Sequence, residues 1–372
     1  MKRLFCLILV CFFICIKPMC VNALGLSAEC ACVIDAATGR VIYERNMNKQ
    51  HTMASTTKIM TALVALENSP LDKVITVSKN AAGEEGTSLY LKVGQKVTME
   101  DLLYGLMLQS GNDAAIAIAE GVSGSVEEFA NLMNKRAKEI GANNSSFKNP
   151  NGLDEEGHYT TAYDLALITK EAMKNAKFSE IVSTKSKTIL DCTQTVSNHN
   201  KMLRMYEGCI GVKTGFTKKS GRCLVTAAER EGVKLIAVTL NAPNDWNDHK
   251  IMLDYGFDKT ERFPVILKGM TVNSVAVTDG TMQSVDLISA DDFYITENKD
   301  EKLKNITVEC QIPSRVSAPV KKGEVIGKMI ISYKDIPQKT IDLTASCDVL
   351  YEKKRTSVFE NLKKLLTYGC EF

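Results

Sequence analysis

The sequence predicts an α/β chain of the α+β kind: an antiparallel sheet covered by helices, followed by a small all-β sandwich. Three observations carry this. Strand-like runs stand at both ends of the first 260 or so residues. Apolar residues at helical spacing fill the stretch between them. Beyond about residue 263, the apolar runs have strand length and are bounded by turn formers. With 372 residues the chain is long enough for two domains, and its composition, 45% hydrophobic and 24% charged, is that of a globular protein.

The first residues stand apart. Lys2 and Arg3 precede the apolar run "LFCLILVCFFICI", and Val21 and Ala23 are small residues suited to cleavage before Leu24. Residues 1–23 therefore read as a secretory signal peptide, too short for a stable span. No second long apolar run follows. The mature protein is expected to be exported, and soluble or peripheral. A net charge of +2 gives no basic excess of the kind that marks a nucleic-acid binder.

Residues 30–45, "CACVIDAATGRVIYER", predict two strands joined by a turn at Thr38-Gly39. A helix starts near Ser55. Residues 99–120 read as helical on both sides of the interruption "QSGND". Residues 126–140, "VEEFANLMNKRAKEI", predict an amphipathic helix closed by Gly141. "NPNGLDEEGHYTT" is rich in turn formers and reads as a loop, and "AYDLALITKEAMKN" is helical again. Then "CIGVKTG", "RCLVTAAER" and "KLIAVTLNA" predict three strands in series, and a helix over about 246–256 closes this part.

The β-rich part follows as "NSVAVTDG", "VDLISADDFYITE", "KNITVECQI", "GEVIGKMIISY" and "KTIDLTASCDVLY". The expected organisation is a signal peptide over 1–23, a first domain over 24–262, a β-sandwich over 263–350 and a tail over 351–372. In the tail, Val358, Phe359, Leu362, Leu365 and Leu366 share one helical face, with Lys353, Lys354, Arg355, Lys363 and Lys364 around it. The pattern suits equally a helix lying on an anionic membrane surface and one docked against protein.

Four of the 12 cysteines precede Leu24; the others are Cys30, Cys32, Cys192, Cys209, Cys223, Cys310, Cys347 and Cys370. An even count in an exported protein invites disulfides, but a chain this size can build a core without them. Most of these thiols are read as small buried residues. There is no C-x-x-C pair and the four histidines are scattered, so neither a metal nor a cofactor is expected.

The chemistry is read from three short stretches. Ser55 and Lys58 lie three residues apart at a helix start, which puts them on one face. An amine partly stripped of water can take the proton of a neighbouring hydroxyl and make the serine nucleophilic. Ser110-Gly111-Asn112 falls in the interruption between two apolar helices, where a kink would point a hydroxyl and an amide into a cleft. Lys213-Thr214-Gly215 ends a strand, offering a cation and a hydroxyl to a carboxylate and a glycine that lets substrate backbone approach. Rival matches exist: Ser145 with Lys148 lies in a loop before Asn149-Pro150 and opens no helix, and no apolar helix leads into Ser78-Lys79-Asn80. Each stretch alone is weak; the three together, in this order and on these elements, are specific.

With these motifs the sequence resembles the penicillin-recognising serine enzymes, whose signature is S-x-x-K, S-x-N and K-T-G. It is most similar to the low-molecular-mass penicillin-binding proteins that are D-alanyl-D-alanine carboxypeptidases. "SGNDAA", "NPNGLDEEGHYTTAYDLALI" and "GVKTGFTKKSGRCLVTAAER" carry the likeness, which covers about residues 28–260 closely. The resemblance implies a penicillin-binding/β-lactamase-like fold. It implies that Ser55 attacks the carbonyl between two D-alanines of a peptidoglycan stem peptide and that Lys58 is the base. It further implies that Ser110 relays a proton to the leaving D-alanine and that Asn112 holds the peptide amide. Lys213 and Thr214 would bind the terminal carboxylate beside Gly215, with the backbone N–H groups of Ser55 and Phe216 as oxyanion hole. β-Lactams would acylate Ser55, and the tail would anchor the enzyme on the outer face of the cytoplasmic membrane.

A class A β-lactamase is disfavoured, because the loop holding Glu155 and Glu156 lacks that family's E-x-x-x-N pattern. A D,D-endopeptidase or transpeptidase shares all three motifs. A catalytically dead wall-binding protein is disfavoured by the intact Ser55, Lys58 and Lys213. His51, His158 and His199 are read as structural or solvated, and Cys209 and Cys223 as packing residues.

Overall fold

The computed structural model describes residues 24–190, 193–299, 306–333 and 335–352. The signal segment and the basic amphipathic stretch from Lys353 onward lie outside the described residues, as do Cys192 and Cys370. The chain divides into two compact units. One holds residues up to Arg230 with Lys234–Asp258, and the other Glu231–Val233 with residues from Lys259 onward.

The first unit is built on a five-stranded sheet. Its strands are β1 (Cys30–Asp35), β2 (Val41–Arg45), β7 (Cys209–Thr217), β8 (Gly221–Arg230) and β9 (Val233–Leu240). Their order is β2-β1-β9-β8-β7, so the two ends of the domain's sequence meet at the β1–β9 pairing. The pairs β1–β2, β1–β9 and β7–β8 are antiparallel, and the two-residue connection from β8 to β9 permits no other arrangement. The turn between β1 and β2 is held by Asp35, whose Oδ1 accepts from the Thr38 N–H at 2.7 Å. β7 is an edge strand.

Helices fill the middle of the unit. The longer ones are α1 (Lys58–Asn68), α2 (Met99–Tyr104), α3 (Asn112–Ser123), α4 (Val126–Ile140), α5 (Ala162–Ala172) and α6 (Ala176–Ser183), with α7 (Asp245–Lys259) after the last strand; Lys79–Ala82 and Met202–Met205 add single turns. Their starts follow capping chemistry. Thr98, Ser125 and Thr161 accept from the N–H groups of Asp101, Glu128 and Asp164 and cap α2, α4 and α5. α1 is apolar nearly all round and sits in the core, with Ile59, Met60, Leu63 and Val64 buried among residues of α3, α5 and the sheet. Each such side chain contributes roughly 1.5–3 kcal/mol by burial. Two short ribbons, β3 (Val74–Thr76) with β4 (Lys96–Thr98) and β5 (Ser186–Ile189) with β6 (Gln194–Ser197), have no counterpart in the sequence reading. Strands of three or four residues are too short to show a period.

The second unit is β-rich. It contains β10 (Thr260–Ile266), β11 (Thr271–Thr278), β12 (Ser284–Ser289), β13 (Phe293–Asn298), β14 (Ile306–Gln311), β15 (Arg315–Ser317), β16 (Val325–Tyr333) and β17 (Ile336–Ala345). A six-stranded sheet runs β14-β16-β17-β12-β11-β15, and β10 pairs with β13 in a separate ribbon. Ile266 of the ribbon joins Val277, Leu287, Ile331 and Leu343 of the sheet in one apolar core. The run "VDLISADDFYITE", read as one strand, is two. Ser289 donates to the Asp291 carbonyl at 2.6 Å and Asp292 accepts from the Lys268 N–H, so the acidic pair turns the chain out of the sheet and into the ribbon.

Among the described residues no helix is long and apolar enough to cross a membrane. Cys30, Cys32 and Cys223 are buried free thiols, and Cys209, Cys310 and Cys347 are half-buried free ones. Burial raises the Cys209 thiol to about 11 and Cys223 to about 12, so both stay protonated at neutral pH and act as small packing groups.

Candidate active site

Ser55 lies in a single 3₁₀ turn, Ala54–Thr57, immediately before α1. The turn is tightened from within. Thr56 Oγ1 donates to the Met53 carbonyl at 2.6 Å and Thr57 Oγ1 to the Ala54 carbonyl at 2.9 Å. His158 supports it from below: its Nδ1 accepts from the Lys148 N–H at 3.0 Å, so its Nε2 carries the proton and donates to Thr57 Oγ1 at 2.9 Å. Burial pushes His158 down to about 4, which keeps this neutral tautomer in place.

Two glycines let backbone close on the turn. A Cβ on Gly152 (φ +89°) would sit 2.0 Å from the Ala54 carbonyl oxygen. A Cβ on Gly215 of β7 would come within 3.1 Å of the Ser55 and Thr56 backbone nitrogens. The glycine of Lys-Thr-Gly thus lets the edge strand run against the turn that presents Ser55.

Lys58 opens α1 fully buried. Its Nζ is 2.9 Å from Ser55 Oγ, 2.8 Å from Asn112 Oδ1 and 2.6 Å from the Asn151 carbonyl. Burial and then the Lys213 charge push its pKa well below the ordinary lysine value, with Glu84 and Asp113 opposing. Asn112 spends both ends of its amide on the protein, since its Nδ2 donates to the Glu85 carbonyl at 2.6 Å. It is thus a brace for Lys58 as well as the candidate amide holder of the sequence reading.

The interruption at 105–111 has a definite form. α2 runs into a wider π turn, Gly105–Gln109, which ends at Ser110 in the left-handed region (φ 66°, ψ 31°). Such a conformation costs a non-glycine residue on the order of 1 kcal/mol, and strain of this kind clusters at working sites. Here it brings Ser110 to the wall of the cavity that holds Ser55.

That cavity, about 320 Å³, is lined by Ser55, Thr87, Ser110, His199, Thr214, Gly215, Phe216, Arg222, Asp245 and Trp246. Five of the eight residues singled out in the sequence line it directly, Ser55, Ser110, Thr214, Gly215 and Phe216; Lys58 reaches Ser55 through one hydrogen bond and Asn112 reaches Lys58 through a second. Lys58 is the hub of both bonds, and Lys213 lies beneath, 1% exposed, with its Nζ on the Thr214 carbonyl at 3.0 Å. Burial lowers Lys213 to about 7.

The sequence reading missed Arg222 and Trp246. Arg222 faces Phe216 across the β7–β8 pair, bonds Asp245 at 3.0 Å and lies 5.6 Å over the Trp246 ring. It also missed Asn151, Thr87 and Glu84, which come from loops distant in sequence. The rival motifs have structural uses: Ser78 caps the short helix Lys79–Ala82, and Ser145 Oγ donates to Asp164 at 2.8 Å. Among the described residues no group of histidine, cysteine and carboxylate side chains is placed to hold a metal.

Comparison with known proteins places the chain in a family. Residues 17–244 match the D-alanyl-D-alanine carboxypeptidase family model, and 261–350 match the C-terminal domain of penicillin-binding protein 5. The chain is 35% identical over 321 residues to the D-alanyl-D-alanine carboxypeptidase DacF of Bacillus subtilis, covering 83% of this chain and 82% of that one. It is similar to the structure of penicillin-binding protein 5 from Haemophilus influenzae at 28% identity, with a TM-score of 0.65, covering 89% and 99% of the two chains. The Streptomyces K15 DD-transpeptidase is 34% identical, with a TM-score of 0.59, covering 62% of this chain and 97% of that one.

Proposed function

This chain belongs to the D-alanyl-D-alanine carboxypeptidase family, and we propose that Ser55 removes the terminal D-alanine of peptidoglycan stem peptides through an acyl-enzyme. The observation that carries this is the 2.9 Å contact between Ser55 Oγ and a lysine from which water is excluded. Neutral Lys58 has two N–H bonds and one lone pair. Asn112 Oδ1 and the Asn151 carbonyl can only accept, so they take the N–H bonds and leave the lone pair for the Ser55 hydroxyl proton. Ser55 Oγ then bonds the penultimate D-alanine carbonyl carbon as its proton passes to Lys58. The Ser55 and Phe216 N–H groups hold the oxyanion. The C–N bond breaks, Ser110 passes a proton to the departing amine, and water later cleaves the ester. Penicillins present a strained version of the same amide and stop at the ester stage.

The substrate's terminal carboxylate is taken by the Thr214 hydroxyl above Lys213, and Arg222, half-buried and paired with Asp245, supplies a second cation in the same cavity. Lys213→Ala is expected to lower kcat/KM for an acyl-D-alanyl-D-alanine peptide by on the order of a hundredfold, as for a buried charge partner removed. Arg222→Gln is expected to raise KM by a smaller factor, roughly tenfold or less, with kcat little changed. Wild-type efficiency in Lys213→Ala would refute the carboxylate role. The pH dependence has two limbs. Acylation needs neutral Lys58 and is lost as pH falls; carboxylate binding needs charged Lys213 and weakens as pH rises through about 7.

Export by residues 1–23 and action in the cell-wall space follow from the same reading. We assign the tail after Glu352 to the outer surface of the cytoplasmic membrane, with its apolar face down and its lysines near anionic lipid. Each buried apolar side chain adds roughly 1.5–3 kcal/mol at most, so attachment is reversible. The full mature chain is expected to float with anionic vesicles and a chain ending at Glu352 to stay behind. Equal flotation would exclude the tail as anchor.

A further inference from the structure

Lys58 is braced from behind by two consecutive residues of one loop. The Glu85 carbonyl accepts from Asn112 Nδ2 at 2.6 Å, and Asn112 Oδ1 meets Lys58 Nζ. Glu84 Oε1 accepts from Asn151 Nδ2 at 2.6 Å, and the Asn151 carbonyl meets Lys58 Nζ at 2.6 Å. The loop is itself tied to the site. The Asn112 N–H donates to the Thr87 carbonyl at 2.7 Å, and buried Asp113 accepts from Ser88 Oγ and from the N–H groups of Leu89 and Leu91. The loop over 84–91 is thus tied to the site at several points, and Glu84 puts a half-buried carboxylate one residue away from Lys58.

We infer that Glu84 is a positioning residue for the reaction: it fixes Asn151, and through it Lys58, and its carboxylate offsets the charge Lys58 acquires as Ser55 gives up its proton. The inference rests on the Ser55–Lys58 reading above. Three charged groups face Lys58: Lys213 from β7, Asp113 from α3 and Glu84 from the loop. Lys213 opposes a proton on Lys58, and the two carboxylates favour it. Asp113 is already committed to the loop N–H groups. Among the described residues the Glu84 carboxylate bonds only the Asn151 amide, with Glu85 its charged neighbour; burial raises its own pKa. It is therefore the group free to balance the transferred proton: the Ser55 O–H bond breaks as the Lys58 N–H bond and the Oγ–carbonyl bond form, and Glu84 itself exchanges no bond in the step.

The test is the pH profile of acylation of the full mature chain by penicillin, in wild type, Glu84→Gln and Glu84→Ala. Glu84→Gln keeps the shape and an oxygen for Asn151 but removes the charge. Its acid limb is expected to move to lower pH, because Lys58 releases its proton more readily, and its plateau to fall several-fold, because the base is weaker. Glu84→Ala should shift the limb the same way and lower the plateau by roughly ten- to a hundredfold, since the Asn151 brace is also lost. A purely structural role would lower the plateau without moving the limb. A Glu84→Gln limb that superimposes on wild type overturns the inference, whatever the rate. Failure of the wild-type protein to acylate would instead refute the Ser55 reading.

Discussion

Penicillin is expected to add one covalent adduct to the mature chain, on Ser55, and none to Ser55→Ala. Release of D-alanine from an acyl-D-alanyl-D-alanine peptide should fall in that variant by roughly ten-thousandfold, since a nucleophile cannot be replaced by its neighbours. The substitution is small. Ser55 sits in a turn held by Thr56, Thr57, His158 and two close-approaching glycines, none of which depends on its hydroxyl. Loss of activity can therefore be separated from loss of fold by the unchanged unfolding transition. Intact-mass measurement reads the result directly. An adduct that persists in Ser55→Ala would remove the assignment.

Lys58→Met should be nearly as severe. Methionine fills the space of the lysine stem but takes no proton. The acylation rate is expected to fall by roughly 10²–10⁴, the range of a positioned general base. Stability should also drop, because Asn112 Oδ1 and the Asn151 carbonyl lose their donor, at about 1–3 kcal/mol for each buried group left unpaired. The adduct should still appear, slowly and on Ser55, which distinguishes the base from the nucleophile. Acylation of Lys58→Met at the wild-type rate would mean that another group takes the proton.

What was legible in the sequence is what local chemistry dictates. The helix over Val126–Ile140 shows in its period, its Ser125 cap and its closing glycine. The three successive strands β7, β8 and β9 show in their apolar runs. Ser55 and Lys58 sit one turn apart, and Lys213, Thr214 and Gly215 are adjacent, so neither group needs tertiary information to be grouped. The rest of the site is long-range. Asn151 reaches Lys58 across 93 positions and Glu84 reaches Asn151 across 67. Arg222 enters the cavity because β8 pairs with the strand that carries Phe216 and Thr214, a register that no period in the sequence encodes. Asn112 was legible as a site residue, but its bond to Lys58 was not, because that bond exists only once α1 and α3 pack.

The two buried lysines have a consequence for the order of events. Lys58 and Lys213 repel each other when both are charged, and neither is exposed to solvent that could screen the other. If, as proposed, the substrate carboxylate sits above Lys213, it would offset that repulsion. On the proposed mechanism, Lys58 would then take the Ser55 proton with less of a like charge opposing it. On the proposed roles the cleft would work as an interlock, with recognition of the peptide's end raising the basicity of the group that starts the chemistry. A peptide whose terminal carboxylate is replaced by an amide is then expected to lose its grip and, by the same replacement, to leave the base switched down, so discrimination against the wrong end would be applied twice by one pair of side chains.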